Sequence, residues 1–339
     1  GESNVFWGAV HNRFFTIAAV PSLPANQLIS RRVELEHSRQ LLATNAEAIT
    51  NGFQTSLVYP PAILNAGESV QNNFLIYAGP KEYNILVRLG EQYKNQLDAI
   101  MNFGGFFGWF AQGLLVSMNW LHSFFGMGYG IAIIVITIII KLLFWPLTNA
   151  STKSMKRMQL LQPQMKALQE KYKDDPRKMN MKLMEFMKEH KVSPLGGCLP
   201  MLVQIPIFIG FYQMLRSAIE LRDVSFLWAC DLSQADTIAY VAGFPINPLP
   251  IIWAGTMVWQ ASMTPMSPGM DPTQQKIMRY MPLMILFFLY NMSAGLTLYW
   301  TVQNLLTILQ MRLTKAVDVT PASTAPTKPG PSGGPKKKK

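Results

Sequence analysis

Of the 339 residues, 49% are hydrophobic and only 14% charged, against about 25% charged in an ordinary soluble domain, which argues against a wholly soluble protein. The net charge of +11 would suit nucleic acid. The basic residues, however, cluster between and after apolar runs, where membrane topology puts them, so sequence-specific nucleic-acid binding is not expected. Two cysteines, Cys198 and Cys230, form neither a disulfide framework nor a metal-ligand spacing, and the topology below sets them on opposite membrane faces.

In chain order, the first region carries short β-rich runs separated by turn residues: "RFFTIAAV" (13–20), "RRVELEH" (31–37), "FQTSLVY" (53–59) and "NFLIYAG" (73–79). "YAGPKEYNILVRL" (77–89) reads as strand, Gly-Pro turn, strand. No run there approaches the roughly 18 apolar residues of a span. All 21 methionines lie at Met101 or later, and seven of the eight tryptophans at Trp109 or later. Residues 1–103 therefore form a unit of their own, β-rich, with 90–103 as a helical connector. "FGWFAQGLLVSMNWLHSFFG" (107–126) is apolar but interrupted by Gln112, Asn119 and His122, as in an amphipathic helix at the interface. We place this element at 104–126, ended by a glycine hinge, "GMGYG".

Five spans follow, at about 128–147, 196–217, 246–264, 278–293 and 295–313, within a core covering 127–315. Residues 148–195 hold eleven Lys/Arg and five acids, whereas 218–245 hold Glu220, Asp223, Asp231 and Asp236 against Arg222 alone. The first segment, the 265–277 loop and the C-terminus are thus expected in the cytoplasm, and 218–245 outside. Five spans then put the N-terminal unit outside. Export of that unit needs an upstream signal or anchor helix, so the chain reads as trimmed at its start. Residues 316–339, rich in Pro, Ser and Gly and ending in Lys336–Lys339, read as a disordered basic tail.

The cytoplasmic segment at 150–191 reads as a helical hairpin. Asp175 is a good N-cap and Pro176 a good first helical residue. Pro163 is expected to end one helix or open the next. Met155, Met158, Met165, Leu168 and Tyr172 form one apolar stripe, and Met179, Leu183, Phe186, Met187 and His190 a second. Such stripes either pack on each other or receive apolar clients.

Catalytic motifs are missing: four scattered histidines, no G-x-S-x-G elbow and no phosphate loop. A Ser–Lys hydrolase built on Lys141 would need a serine that the sequence does not place. Lys141 lies inside "IAIIVITIIIKLLFWPLT" (131–148), where a lysine costs about 2.5–3.5 kcal/mol on insertion scales. It can snorkel to the inner interface, or line a wet, positively charged cavity. An ion pair is disfavoured, because the spans offer no Asp or Glu. Thr137, Lys141 and Trp145 share one helix face. Gln204, Tyr212 and Gln213, with Tyr299, Gln303 and Asn304, supply polar partners that can line a groove or bond between helices.

Several blocks together resemble the YidC/Oxa/Alb family of membrane protein insertases. They are "GYGIAIIVITIIIKLLFWPLT", "KSMKRMQLLQPQMKALQEKYKDD", "VSPLGGCLPMLVQIPIFIGFYQML", "IELRDVSFLWACDLSQAD", "DPTQQKIMRYMP" and "AGLTLYWTVQNLLTILQ". "FWGAVHNRFFTIAAVP" and "YAGPKE" resemble the end of the periplasmic domain of its Gram-negative-type branch. The resemblance implies a polytopic α-helical membrane protein of the bacterial inner membrane. Its five-helix core would follow part of a periplasmic β-sandwich. A groove lined by Lys141, Thr137, Gln204, Tyr212, Tyr299, Trp300, Gln303 and Asn304 would receive nascent membrane-protein clients from the cytoplasm and lipid, with no cofactor and no metal. The family's groove cation is usually arginine; this chain has Lys141, which lacks the guanidinium fork. The resemblance also implies client contact at the hairpin (Met155, Met158, Met179, Met187), an outer amphipathic helix at Glu220–Trp228, and work alone or beside the Sec translocon, with a tail that contacts ribosomes in some members. A small-anion transporter using Lys141 is the alternative, though no internal repeat supports it. A subunit chaperone without insertion activity would leave the groove unused.

Overall fold

The computed structural model describes residues 4–34, 51–105, 107–190, 192, 199–264 and 272–314. Cys198, most of the 265–277 loop and the 316–339 tail lie outside the described residues.

The N-terminal unit begins with strands β1 (Gly8–His11), β2 (Phe15–Pro21), β3 (Gln27–Glu34), β4 (Asn51–Val58) and β5 (Phe74–Pro80). They form an antiparallel sheet in the order β1-β2-β5 and an antiparallel β3-β4 hairpin. The period-2 pattern explains β2: Thr16, Ala18 and Val20 point inward while Phe15 and Ile17 are exposed. The hairpin reaches β1 at Gly8, where an added Cβ would lie 2.8 Å from Leu28 Cδ1. The strand expected after Pro80 is instead helix α1 (Tyr83–Tyr93). Tyr83, Leu86 and Gly90 are buried on one face of it, so a helical period wins over a local β reading. A 3-10 turn, Leu97–Met101, follows.

Helix α2 (Gly108–Phe125) buries one apolar face and exposes aromatic residues on the other. Ala111, Leu114, Leu115, Met118 and Leu121 are buried, whereas Trp109, Trp120, Phe124 and Phe125 are exposed. Gly126, with φ of 63°, ends it in the left-handed conformation that glycine adopts without strain. Helix α3 (Tyr129–Leu143) then runs only to Leu143, and α4 (Trp145–Lys171) leaves it at 67°. Pro146 explains the break of the expected 128–147 span. Its ring clashes with the carbonyl four residues back, and it is tolerated in the first turn of a new helix. Pro163, by contrast, sits inside α4 and does not end it. Helix α5 (Pro176–Glu189) starts as expected, with the Asp175 carboxylate accepting from the Lys178 N–H at 3.0 Å.

Helices α6 (Leu199–Ser217), α7 (Pro248–Met263), α8 (Pro272–Leu289) and α9 (Ala294–Leu313) complete the chain. Helix α8 begins earlier and ends earlier than the 278–293 expectation. Helix α9 is the hub, packed against α3, α7 and α6, while α2 packs on α6 and α3. Gly210 in α6 allows this last approach, since a Cβ there would lie 2.3 Å from the Phe110 ring. Among the described residues no single helix is long and apolar enough to cross a membrane alone; α3 and α4 pass that test together across their bend.

The 218–245 segment does not hold the helix expected at Glu220–Trp228. Only Ile219–Leu221 is helical, as a 3-10 turn. Asp223 and Leu227 take positive φ values of 58° and 54°, which stops a right-handed helix. A small ribbon, β6 (Ala239–Val241) and β7 (Phe244–Ile246), also lies here. Its two-residue turn, Ala242-Gly243, has both φ values positive, as a tight hairpin requires.

The loop between these elements seals two helix starts. Buried Asp236 accepts from the Leu249 N–H at 2.6 Å and from Trp228 Nε1 at 2.9 Å, a carboxylate at the positive end of α7. The Ala294 and Gly295 N–H groups of α9 donate to the Gln234 and Leu232 carbonyls at 2.5 and 2.8 Å.

Arg13 ties the β-rich unit to this cap. Its Nε donates to the Arg216 carbonyl at 3.0 Å and its Nη2 to the Ser233 carbonyl at 2.9 Å. Arg222 reaches back over the Phe14 and Phe15 rings. Charged hydrogen bonds contribute about 1.5–3 kcal/mol when buried, but partial exposure reduces this one to about 1 kcal/mol. Arg13→Ala should therefore speed amide exchange at 216–222 and 231–236 severalfold and leave the α4–α5 hairpin unchanged. Equal exchange in both proteins would show that the clamp contributes nothing.

Glu220 supplies a pH test. Burial holds its carboxyl above the ordinary value of 4.5, assisted by nearby Glu82 and opposed by the Asn119 amide, which donates to Glu220 Oε1 at 3.2 Å. A carboxyl with a raised folded pKa keeps its proton more tightly in the fold. Its ionisation therefore costs stability as pH rises from 4.5 through the folded value. Glu220→Gln should match the parent in thermal unfolding at pH 4 and exceed it at pH 8. A constant difference across that range would show that ionisation of Glu220 carries no penalty.

Candidate functional site

The isoleucine-rich face of α3 buries Lys141 because the helix must turn one side toward α9. Lys141 is only 5% exposed, and Nζ donates to Thr307 Oγ1 of α9 at 2.9 Å. An ammonium has three donors, and this hydroxyl is its one hydrogen-bond partner among the described residues. Among the described residues no carboxylate pairs with it: the ion pairs are Lys182–Glu185 and Arg222–Asp223, both outside this site. The sequence from Tyr129 to Gln169 contains no acid, nor do α6, α7, α8 or α9. A buried charge without a counterion is unfavourable unless water or a ligand solvates it.

From Lys141 a ladder of polar groups rises along α9. Thr307 Oγ1 donates to the Gln303 carbonyl at 2.8 Å, and Gln303 Nε2 donates to Gln204 Oε1 of α6 at 2.8 Å. Gln204 Nε2 then donates to the Tyr299 hydroxyl. The Tyr299 ring is buried and stacks on Phe211 at 3.9 Å. Each amide in the ladder finds a partner, as a desolvated seam between helices requires.

The residues expected to share one groove are thus divided among several seams. Lys141, Gln204, Tyr299 and Gln303 are brought together with Thr307. Thr137 is buried one turn before Lys141 on α3, its hydroxyl spent on the Ile133 carbonyl at 2.7 Å. Asn304 faces α7, donating to Thr256 Oγ1 at 3.3 Å. Trp300 stacks between Phe208 at 4.8 Å and Trp253 at 5.2 Å. Tyr212 sits apart, toward the C-terminal end of α6, accepting from Arg216 Nη1 at 3.3 Å. Adjacent residues on a helix point about 100° apart, and Gln303 and Asn304 accordingly bond to different helices.

Sequence reading missed the continuation of this seam past the α3–α4 bend. Gln310 Nε2 donates to Thr148 Oγ1 at 2.8 Å, and Thr314 Oγ1 to Asn149 Oδ1 at 3.0 Å. Lys156 Nζ donates to the Thr314 carbonyl. Thr307, Gln310 and Thr314 recur at spacings of three and four, the signal of one helix face.

The hairpin buries most of its predicted contact residues. Met158 and Met187 lie in the seam between α4 and α5 with Leu161, Met165 and Leu183, and Met179 packs against them. Met155 is buried as well. The two stripes cover much of each other's apolar surface, while Met155 is buried beside Met311 of α9. The exposed apolar residues here are Leu160, Met181 and Met184.

Residues 120–320 match the family described as 60Kd inner membrane protein, and residues 1–117 match the YidC periplasmic domain. A relative from Syntrophus aciditrophicus, named membrane protein insertase YidC, is 42% identical over 308 residues, which is 91% of this chain and 51% of the relative. Its namesake from Geobacter sulfurreducens is 44% identical over 278 residues, covering 81% and 49%. The chain spans about half the length of the curated relatives it matches. In fold it is similar to an active YidC insertase crystal structure with the first transmembrane domain resolved. That likeness has a TM-score of 0.52 and 21% identity, over 93% of this chain and 65% of the other. The chain therefore belongs to the 60 kDa inner membrane protein family, the family of the YidC insertases.

Proposed function

We propose that this chain is the membrane-embedded working part of an insertase for membrane proteins, carried by a single observation: Lys141 is a buried cation without a carboxylate. The names of its relatives support the same reading. The small-anion transporter finds no comparable support.

In this reading the bacterial inner membrane holds five spans, 128–147, 196–217, 246–264, 278–293 and 295–313, with the β-rich unit in the periplasm and the hairpin in the cytoplasm. No covalent chemistry and no cofactor is involved. An acidic segment of a nascent client enters from the cytoplasmic side, where the ammonium attracts it. The polar ladder of Gln303, Gln204 and Tyr299 substitutes for water and shortens the apolar barrier. The outer loop, with Asp236 and the carbonyls of Leu232 and Gln234, closes the far end. Partition of a client helix into lipid then supplies the free energy, at about 25 cal/mol per Å² of apolar surface. Clients that touch the hairpin meet Leu160, Met181 and Met184, which are exposed. Work beside the Sec translocon or the ribosome belongs to this proposal and rests on the family resemblance.

At about 10 Å and an effective dielectric near 20, an ammonium and a carboxylate attract by about 1–2 kcal/mol, roughly tenfold in occupancy. Lys141→Ala should therefore lower insertion of clients with acidic translocated tails about tenfold and spare clients with neutral tails, in a protease-protection assay. Lys141→Arg should retain activity. Equal insertion by all three proteins would sink the charge-attraction mechanism, and loss in Lys141→Arg as well as in Lys141→Ala would point to a lysine-specific site.

A further inference from the structure

A second cationic site lies where α4, α7 and α9 meet, and the insertase reading does not use it. A cavity of about 370 Å³ opens there between Thr152 and Lys156 of α4, Ser262 of α7 and Arg312 of α9. Met155 and Met311, both buried, form an apolar wall, with Met263 beside them. Lys156 is anchored by the Thr314 carbonyl. The Arg312 guanidinium stands 5.1 Å over the Trp259 ring, which fixes the head of an otherwise exposed side chain.

The charges here are of one sign. Lys153 and Arg157 flank Lys156 on α4, α9 contributes Arg312, and neither α7, α9 nor the first 25 residues of α4 contains an acid. No ion pair involves Lys156 or Arg312 among the described residues. The hydroxyls complement the cations. Thr152 Oγ1 donates its proton to the Thr148 carbonyl at 2.9 Å and Ser262 Oγ to that of Trp259 at 2.7 Å. Each keeps only lone pairs to offer. The cavity therefore presents two fixed donors for an anion and two acceptors for hydroxyl groups, beside an apolar wall.

We propose that this cavity binds one anionic glycerophospholipid of the cytoplasmic leaflet. Lys156 and Arg312 hold its phosphodiester, Thr152 and Ser262 accept from headgroup hydroxyls, and Met155, Met263 and Met311 contact its glycerol and upper acyl chain. Basic pockets between helices on the cytoplasmic side take such headgroups. The surrounding surface fits a lipid better than an acidic peptide: Trp259, Leu309 and Leu313 are exposed beside the cavity, and acyl chains cover such a surface. The proposal rests on the orientation assigned above and not on insertion activity.

The test uses the full 339-residue chain, delipidated in detergent and titrated by native mass spectrometry with phosphatidylglycerol or phosphatidylethanolamine. Each basic residue near a membrane surface contributes about 1 kcal/mol toward anionic lipid, so phosphatidylglycerol should bind about tenfold or more tightly. Lys156→Gln/Arg312→Gln should abolish that preference. Lys156→Arg/Arg312→Lys should keep it, and so should Lys153→Gln, which alters an exposed lysine outside the cavity. Undiminished preference in the double glutamine variant would overturn the site. Loss in the charge-swapped variant as well would overturn it too, by showing disrupted packing. Glycerol 3-phosphate or an acidic decapeptide displacing the lipid at equal concentration would replace the phospholipid with a soluble anion or a peptide. Because no client is present, failure here leaves the Lys141 results standing, and the reverse.

Discussion

The unneutralised ammonium of Lys141 is the constraint around which the helical part is arranged. A charge inside a low-dielectric seam must be solvated or paired, and this sequence provides no acid on any helix that could reach it. What it provides is a hydroxyl, Thr307, and above that a run of amides and a phenol that bond to one another. Those groups remove the cost of their own burial without cancelling the charge. The positive potential is therefore left for something that enters, an acidic client segment in the mechanism proposed above.

Helix α9 makes this possible by serving different partners on different faces. Tyr299 and Gln303 face α6, Asn304 faces α7, and Thr307, Gln310 and Thr314 follow α3 and then α4 around their bend. The first turn of α9 is wholly buried; its first two N–H groups are taken by the Gln234 and Leu232 carbonyls and the next two by that of Ser293. Polar groups thus continue toward the basic C-terminal end of α9 and stop at the acidic 218–245 cap at its start. That asymmetry follows from where carbonyls and cations are placed, and it sets a direction for an incoming anion.

Much of the fold was legible in the sequence. Alternation located β2 to β5, the Asp175-Pro176 pair located the start of α5, and an ionisable residue in an isoleucine run drew attention to the candidate site. The misreadings have physical causes. The run from Tyr83 to Leu89 reads as a strand in sequence, because a short apolar run after a turn does not reveal its period until its buried partners are known. Pro163 does not end α4 because tertiary packing of Met158, Leu161 and Met165 against α5 outweighs one lost hydrogen bond. Glu220–Trp228 has helical composition, but the positive φ values at Asp223 and Leu227 fold it back onto the cap. At the site, residue types were readable and their grouping was not. Two neighbouring residues on one helix, Gln303 and Asn304, look equivalent in sequence and serve different helices in space.

The α3–α4 bend connects the two cationic sites. Lys141 lies before the bend and Lys156 after it, yet both reach α9, at Thr307 and at the Thr314 carbonyl. Those positions are seven residues apart, about two turns and about 10 Å. A straight helix would carry Lys156 onward along the span; the 67° turn at Phe144 keeps it against the end of α9. The bend is fixed at the level of the chain by Pro146 and at the level of packing by Gln310, which bonds Thr148 two residues beyond that proline. One local feature of the sequence therefore sets the spacing between a buried cation and a rim cation. An arginine in place of Lys141 would project a longer, forked head into the same gap, so the ammonium leaves more of the seam open between the two charges.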